Sequence, residues 1–214
     1  MTPSERRTFT EIARRAQIVQ AAIETIARDG YRAASFARIA AQAGLSSTGL
    51  ISYHFGTRDE LLREVTTEVQ SRMGTHMHAR LQAAGESAAE RLRTYLEASI
   101  EFIDAHRGEM RALLEIFFNA GGVYDTEPEQ TVRSEIEQIL RDGQASGEFR
   151  EFDVSVMATL VQRAIDTLPF ELATQPGLDV SRYSAEVATV FRLATEPRPR
   201  AEAPSGPARG RSGS

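Results

Sequence analysis

An all-α fold of about nine helices is predicted by three observations. Apolar residues recur at steps of three and four along nearly the whole chain. Runs of alternating Val, Ile, Thr and Tyr, the mark of half-buried strands, are rare. Boxes of the form Ser/Thr-x-x-Glu open apolar-periodic stretches at Thr57-Arg58-Asp59-Glu60, Ser87-Ala88-Ala89-Glu90 and Thr126-Glu127-Pro128-Glu129. In such a box the hydroxyl accepts from the third amide and the carboxylate reaches back to the first, so two orphan donors at a helix start are satisfied.

The elements follow in order. Ile12, Ala16, Val19, Ile23 and Ile26 share one face of a helix over about 10–29, and Gly30 can end it in the left-handed conformation. A short helix from Ser35 to Ala43 carries Phe36, Ile39 and Ala40 and closes at Gly44. A second short helix runs from Ser47 or Thr48 to His54. The first box starts a helix carrying Leu61, Leu62, Val65 and Val69 to about Arg80, and the second starts one carrying Leu92, Leu96, Ile100 and Ile103 to about His106. A short apolar helix spans about Glu109 to Ala120, stopped by Gly121-Gly122. The third box opens a helix through Val132, Ile136 and Ile139 to about Asp142, with Pro128 in the first turn, where its missing amide costs nothing. Asp153 caps the eighth helix, which Pro169 should kink or end, and the ninth runs over about 179–194. Residues 196–214 contain four prolines and no apolar periodicity and read as a disordered tail.

The chain of 214 residues is 41% hydrophobic and 26% charged, which excludes collagen-like, low-complexity and membrane-embedded classes. No apolar run approaches a membrane span, and Glu5, Arg6 and Arg7 lack the apolar block of a secretory signal. There is no cysteine, so disulfides, thiolate metal sites and cysteine nucleophiles are excluded and a cytoplasmic location is expected. All 25 basic residues are Arg. The guanidinium fork suits phosphate, but GC-rich codons give the same usage, so distribution informs more than identity. Although the net charge is −5, residues 1–56 hold seven Arg against four acidic residues, whereas residues 57–195 hold fourteen against twenty-four. A basic N-terminal module on an acidic body places any contact with nucleic acid at the N-terminal end.

The window from Gly30 to Leu62 sharpens this. Two short helices flank Ala43-Gly44-Leu45-Ser46; Gly44 permits a sharp turn, Leu45 gives it an apolar plug, and Ala37, Ala40 and Ala41 let a neighbouring helix approach. A helix-turn-helix needs this arrangement, one helix bracing and the next entering the major groove. Through Gly30-Tyr31, Ile39-Ala40, Ala43-Gly44-Leu45-Ser46, Gly49, Ile51, His54-Phe55 and Asp59-Glu60-Leu61-Leu62, residues 10–70 resemble the TetR family of transcriptional repressors. Two departures stand out. Between Gly44 and Phe55 this chain has one residue more than the commonest family spacing, placed at Ser46-Ser47, and the family's phosphate-contacting Tyr aligns with Ser52, beside Tyr53. The run from Thr48 to Phe55 is similar to the branch that includes choline-responsive repressors, a local likeness that carries no ligand with it.

The resemblance implies a flexible arm at 1–9, a DNA-binding domain at 10–56 and a ligand-binding and dimerisation body at 57–195. It implies a homodimer through about 153–173 and 179–194, a palindromic double-stranded DNA operator, and a small-molecule effector that releases DNA by favouring a DNA-incompetent state. Ser47, Thr48, Gly49 and Ser52 are the expected groove-facing residues, with capping as the alternative for Thr48. Tyr53 and His54 are expected on phosphates, with packing against the next helix as the alternative for His54. Ser35 and Thr57 are expected to cap and to meet phosphate, and Arg58 to contact phosphate or stay solvated. Arg14 and Arg15 add local positive charge.

In the body, Phe102, Met110, Leu114, Phe117, Phe118, Tyr124 and Met157 are the candidates for lining an effector cavity, with plain core as the alternative. His76 and His78 diverge by about 200° on a helix, which disfavours a metal pair and reads as a solvated face. No metal and no cofactor is expected. With no nucleophile motif, no phosphate loop after a strand and no metal cluster, an enzyme is not expected either. The remaining alternative is a helical binding module that has lost DNA reading.

Overall fold

A computed structural model of the protein describes residues 9–119 and 127–197, with side chains described outside 127–132. These residues form α1 (Phe9–Asp29), α2 (Phe36–Gln42), α3 (Gly49–Phe55), α4 (Arg58–Gln82), α5 (Ala88–Ala105), α6 (Arg107–Asn119), α7 (Glu127–Ser146), α8 (Val154–Asp166), α9 (Leu168–Thr174) and α10 (Val180–Thr195), and no strand is found among them. All of the expected arm but Phe9, which opens α1, lies outside the described residues, as do Gly121-Gly122, the Thr126 cap, Tyr124 and nearly all of the tail.

The tenth segment arises where the eighth helix breaks. Thr167 closes α8 and opens α9, and Pro169 sits in the first turn of α9. A proline has no amide to continue the α8 ladder, so the chain restarts there. Two other ends differ from expectation. α6 begins at Arg107 because His106 serves both helices: its amide donates to the Phe102 carbonyl at 3.0 Å to close α5, and its carbonyl accepts from the Met110 amide at 3.0 Å. α7 continues through Gly143 to Ser146 and stops before Gly147, whose φ is +78°. Gly143 stays in the helix because the buried Phe149 ring lies against it; a Cβ there would sit 2.1 Å from Phe149 Cδ2.

α5 is the central helix and packs on α4, α6, α7, α8, α9 and α10. It is accordingly apolar on most sides, burying Leu92, Tyr95, Leu96, Ala98, Ile100, Phe102 and Ile103. α1 packs on α2, α4 and most extensively on α6, with Ile18, Val19, Ala22, Ile23 and Ile26 buried. Burial of such a side chain contributes about 1.5–3 kcal/mol. The basic N-terminal helices are therefore welded to the acidic body by one apolar seam.

The caps predicted at Ser35, Thr57, Ser87 and Asp153 are present, and Asp179, expected only as the start of the last helix, is a fifth. Ser35, Thr57, Ser87, Asp153 and Asp179 accept from the amides of Arg38, Glu60, Glu90, Val156 and Arg182. The α5 cap carries a partner that spacing did not announce. Glu148, beyond α7, accepts from Ser87 Oγ at 2.6 Å and from the Ala88 and Ala89 amides at 3.2 and 3.1 Å. These bonds hold its carboxyl below the usual glutamate range. No described helix is long and apolar enough to cross a membrane.

Candidate nucleic-acid interface

α2 and α3 form a helix-turn-helix whose turn occupies residues 43–48. Gly44 takes φ +65°, and the Leu45 amide donates back to the Ala40 carbonyl at 2.8 Å, closing α2. Leu45 is half-buried against the core, as expected of a plug. Only Ile51 and Phe55 of α3 are buried, and they fasten one side of it to the body. Ser47, Thr48, Gly49, Ser52 and Tyr53 are all exposed. Residues 48 and 52, 49 and 52, and 49 and 53 are helical neighbours, so they form one stripe. Thr48 makes no side-chain cap bond, which removes the capping alternative for its hydroxyl. A Cβ at Gly49 would meet only Ser47 Oγ, at an ordinary 3.5 Å, so the absent side chain serves the outer surface rather than the packing. Tyr53 is 72% exposed and its ring meets His54 edge-on at 5.1 Å.

Ser35 and Thr57 cap α2 and α4 and stay exposed. Arg58 turns inward. Its guanidinium donates to the Tyr31 carbonyl and stacks over the Tyr31 ring at 4.1 Å. Neither of the two expectations for it, a phosphate contact or a solvated side chain, describes this; a stacked arginine with its fork on a carbonyl fastens the turn after α1 to the start of α4. That turn is also held from the body, where Glu115 on α6 accepts from the Tyr31 amide at 2.9 Å. His54 is half-buried and lies between the rings of Tyr53 and Phe55.

Two residues of α1 act on this region. Gln17 donates to the Ala43 carbonyl at 2.7 Å, at the end of α2. Arg15, read from sequence only as local positive charge, is inserted between helices: it donates to the His54 carbonyl and, at 2.7 Å, to Glu64 on α4. No sequence signal marked either pairing, because the partners lie 26 to 49 residues away. Part of the basic excess is neutralised locally. Arg28 and Arg38 both pair with Asp29, whose carboxyl is held below its ordinary value chiefly by the hydrogen bond from Arg28.

Six of the seven effector candidates fall among the described residues, and they take different environments. Phe102, Met110 and Met157 are buried in the common core, and Leu114 is half-buried. Phe117 and Phe118 are exposed, Phe118 meeting Phe170 edge-on at 5.7 Å. His78 is exposed as expected, but His76 turns inward against the Phe102 ring at 5.6 Å, and its Nε2 is buried without a partner. Phe102 stacks on His106, which pairs with Glu109, itself bonded to Arg72. A second polar group surrounds Tyr95. Burial, with Glu135 and Asp166 nearby, raises its phenol well above the usual range, so it remains a neutral donor. A groove of about 520 Å³ between α5 and α10, floored by Leu92, Leu96, Phe149 and Phe191, contains none of the six described candidates. Among the described residues no group of three or more His, Asp or Glu is placed to hold a metal.

Residues 18–65 match the family described as bacterial regulatory proteins, tetR family. The chain is 33% identical over 101 residues to an HTH-type transcriptional regulator, BetI 1, of Chromohalobacter salexigens, covering 47% of this chain and 50% of that protein. It thus spans about half the length of the curated relatives it matches. The fold is shared much more widely. The transcriptional regulator FadR from Bacillus subtilis, solved in complex with stearoyl-CoA, superposes with TM-score 0.72 at 23% identity over 82% of this chain and 96% of that one. A transcriptional regulator from Saccharomonospora viridis, solved in complex with choline, superposes with TM-score 0.74 at 22% identity over 87% of this chain and all of that one.

Proposed function

We propose that the chain, whose residues 18–65 match the tetR family of bacterial regulatory proteins, is a member of that family and a ligand-responsive DNA-binding transcriptional regulator, a repressor released from its operator by a small molecule. One observation carries the reading. A complete helix-turn-helix exposes a stripe of small and hydrogen-bonding residues, Ser47, Thr48, Gly49, Ser52 and Tyr53, at the basic end of an otherwise acidic chain. Small side chains let a helix approach base edges closely, and hydroxyls give it donors and acceptors there. Ser35 and Thr57 flank the stripe as caps that can also face phosphates, and His54 lies beside it.

In this reading residues 10–56 read DNA, while residues 57–195 hold the effector and make the dimer. Dimerisation is supported by Val156 and Leu160 on α8 and by Val190 and Leu193 on α10, all more than half exposed. An apolar surface on two helices of one body calls for a second copy. Two fold neighbours were solved with small molecules bound, which supports a small-molecule effector here without naming its class.

Binding to the DNA flanking its own gene tests the proposal. Sequence-specific binding that weakens steeply with salt is expected, because each neutralised phosphate releases counterions. Failure to bind at low and moderate salt refutes it in favour of a helical binding module that no longer reads DNA.

A further inference from the structure

We infer that Arg15 is the positioning residue that sets the pitch of the reading helix, an inference that rests on the DNA-binding role proposed above. α3 has seven residues and only two buried side chains, Ile51 and Phe55, both apolar. Apolar contacts are non-directional and leave such a helix free to rock about its own axis. Arg15 supplies the missing direction. Its side chain is only 12% exposed. One arm of the guanidinium donates to the His54 carbonyl at the end of α3, the other reaches Glu64 Oε2 on α4 at 2.7 Å, and its Cζ lies over the Phe55 ring, 4.2 Å from the ring centre. A single planar group therefore joins α1, α3 and α4, fixing α3 by an acceptor and by a ring face at once. Lysine has neither the second arm nor the plane.

Two residues along, Gln17 fixes the end of α2 in the same manner through the Ala43 carbonyl. α1 thus carries a fastener for each helix of the pair, and is itself packed on α6. Arg15 points into the protein, so it positions α3 without touching DNA.

The test is the variant Arg15→Lys, compared with wild type on a duplex that the wild type selects from a randomised pool and on a non-specific duplex of equal length. Binding is measured where circular dichroism shows each protein fully folded. The expected result is a loss of specific affinity of about tenfold or more, comparable to one well-placed base contact. Non-specific affinity and its salt slope are expected to stay unchanged. Weakening of both duplexes alike would place the effect of Arg15 in sequence-independent contact with the backbone and overturn the inference. Unchanged affinity in the folded variant would reduce it to a stabilising residue and overturn the inference as well. Should Arg15→Lys not fold, Glu64→Ala frees the second arm; a specific loss of the same sign is expected, and its absence counts against the role. A wild type that selects no sequence removes the DNA-binding reading itself, a result separable from the others.

Discussion

Gly49 and Gly143 show how one residue type serves opposite ends. At Gly49 a Cβ has room, so a longer side chain disturbs the groove-facing stripe and not the packing. Gly49→Glu should abolish DNA binding while leaving the melting temperature and the oligomeric state close to wild type; mobility shift and scanning calorimetry check both. At Gly143 the Phe149 ring occupies the place of a Cβ and is itself buried. Gly143→Ala should therefore destabilise by about 1–3 kcal/mol through overpacking, seen in urea unfolding as a lower midpoint with unchanged slope. The caps Ser35 and Thr57 were legible because a cap and its amide lie three residues apart. The roles of Arg15 and Arg58 were not, because an arginine on a helix reads the same whether its fork meets solvent or a distant carbonyl.

At the scale of elements, ends set by local chemistry were legible and ends set by neighbours were not. The break at Thr167 follows from Pro169 alone. The length of α7 depends on Phe149 folding back against Gly143, which no periodicity records. The start of α5 depends on Glu148, some 60 residues away. Because the folded state lowers the Glu148 pKa below its ordinary 4.5, its contribution is complete above that value and is lost as pH falls through the lowered one. Glu148→Gln should thus melt about 2 °C below wild type at neutral pH, and the gap should close as pH falls through the lowered folded-state value, as a series of thermal melts from neutral to strongly acid pH would record.

For the whole molecule, the apolar surface of α8 and α10 carries the dimer proposal. Leu160→Asp combined with Val190→Asp should shift the protein from dimer to monomer in sedimentation while far-UV circular dichroism persists, and operator binding should fall with it, since two half-sites need two linked heads. Of the seven effector candidates, Phe102, Met110 and Met157 went to the core while Phe117 and Phe118 faced outward. An apolar stripe says that a side chain is buried against something and never against what. The all-α class, the caps and the helix-turn-helix rest on residues within one or two turns of each other, and the charge division is a sum along the chain, so the sequence by itself determined them. The seam between α1 and α6, the bond from the Tyr31 amide to Glu115 across 84 positions, and the insertion of Arg15 among three helices were decided only by the tertiary structure. The physical reason is that a hydrogen bond or a stacked ring depends on distance in space, and distance along the chain carries almost none of that information once helices pack.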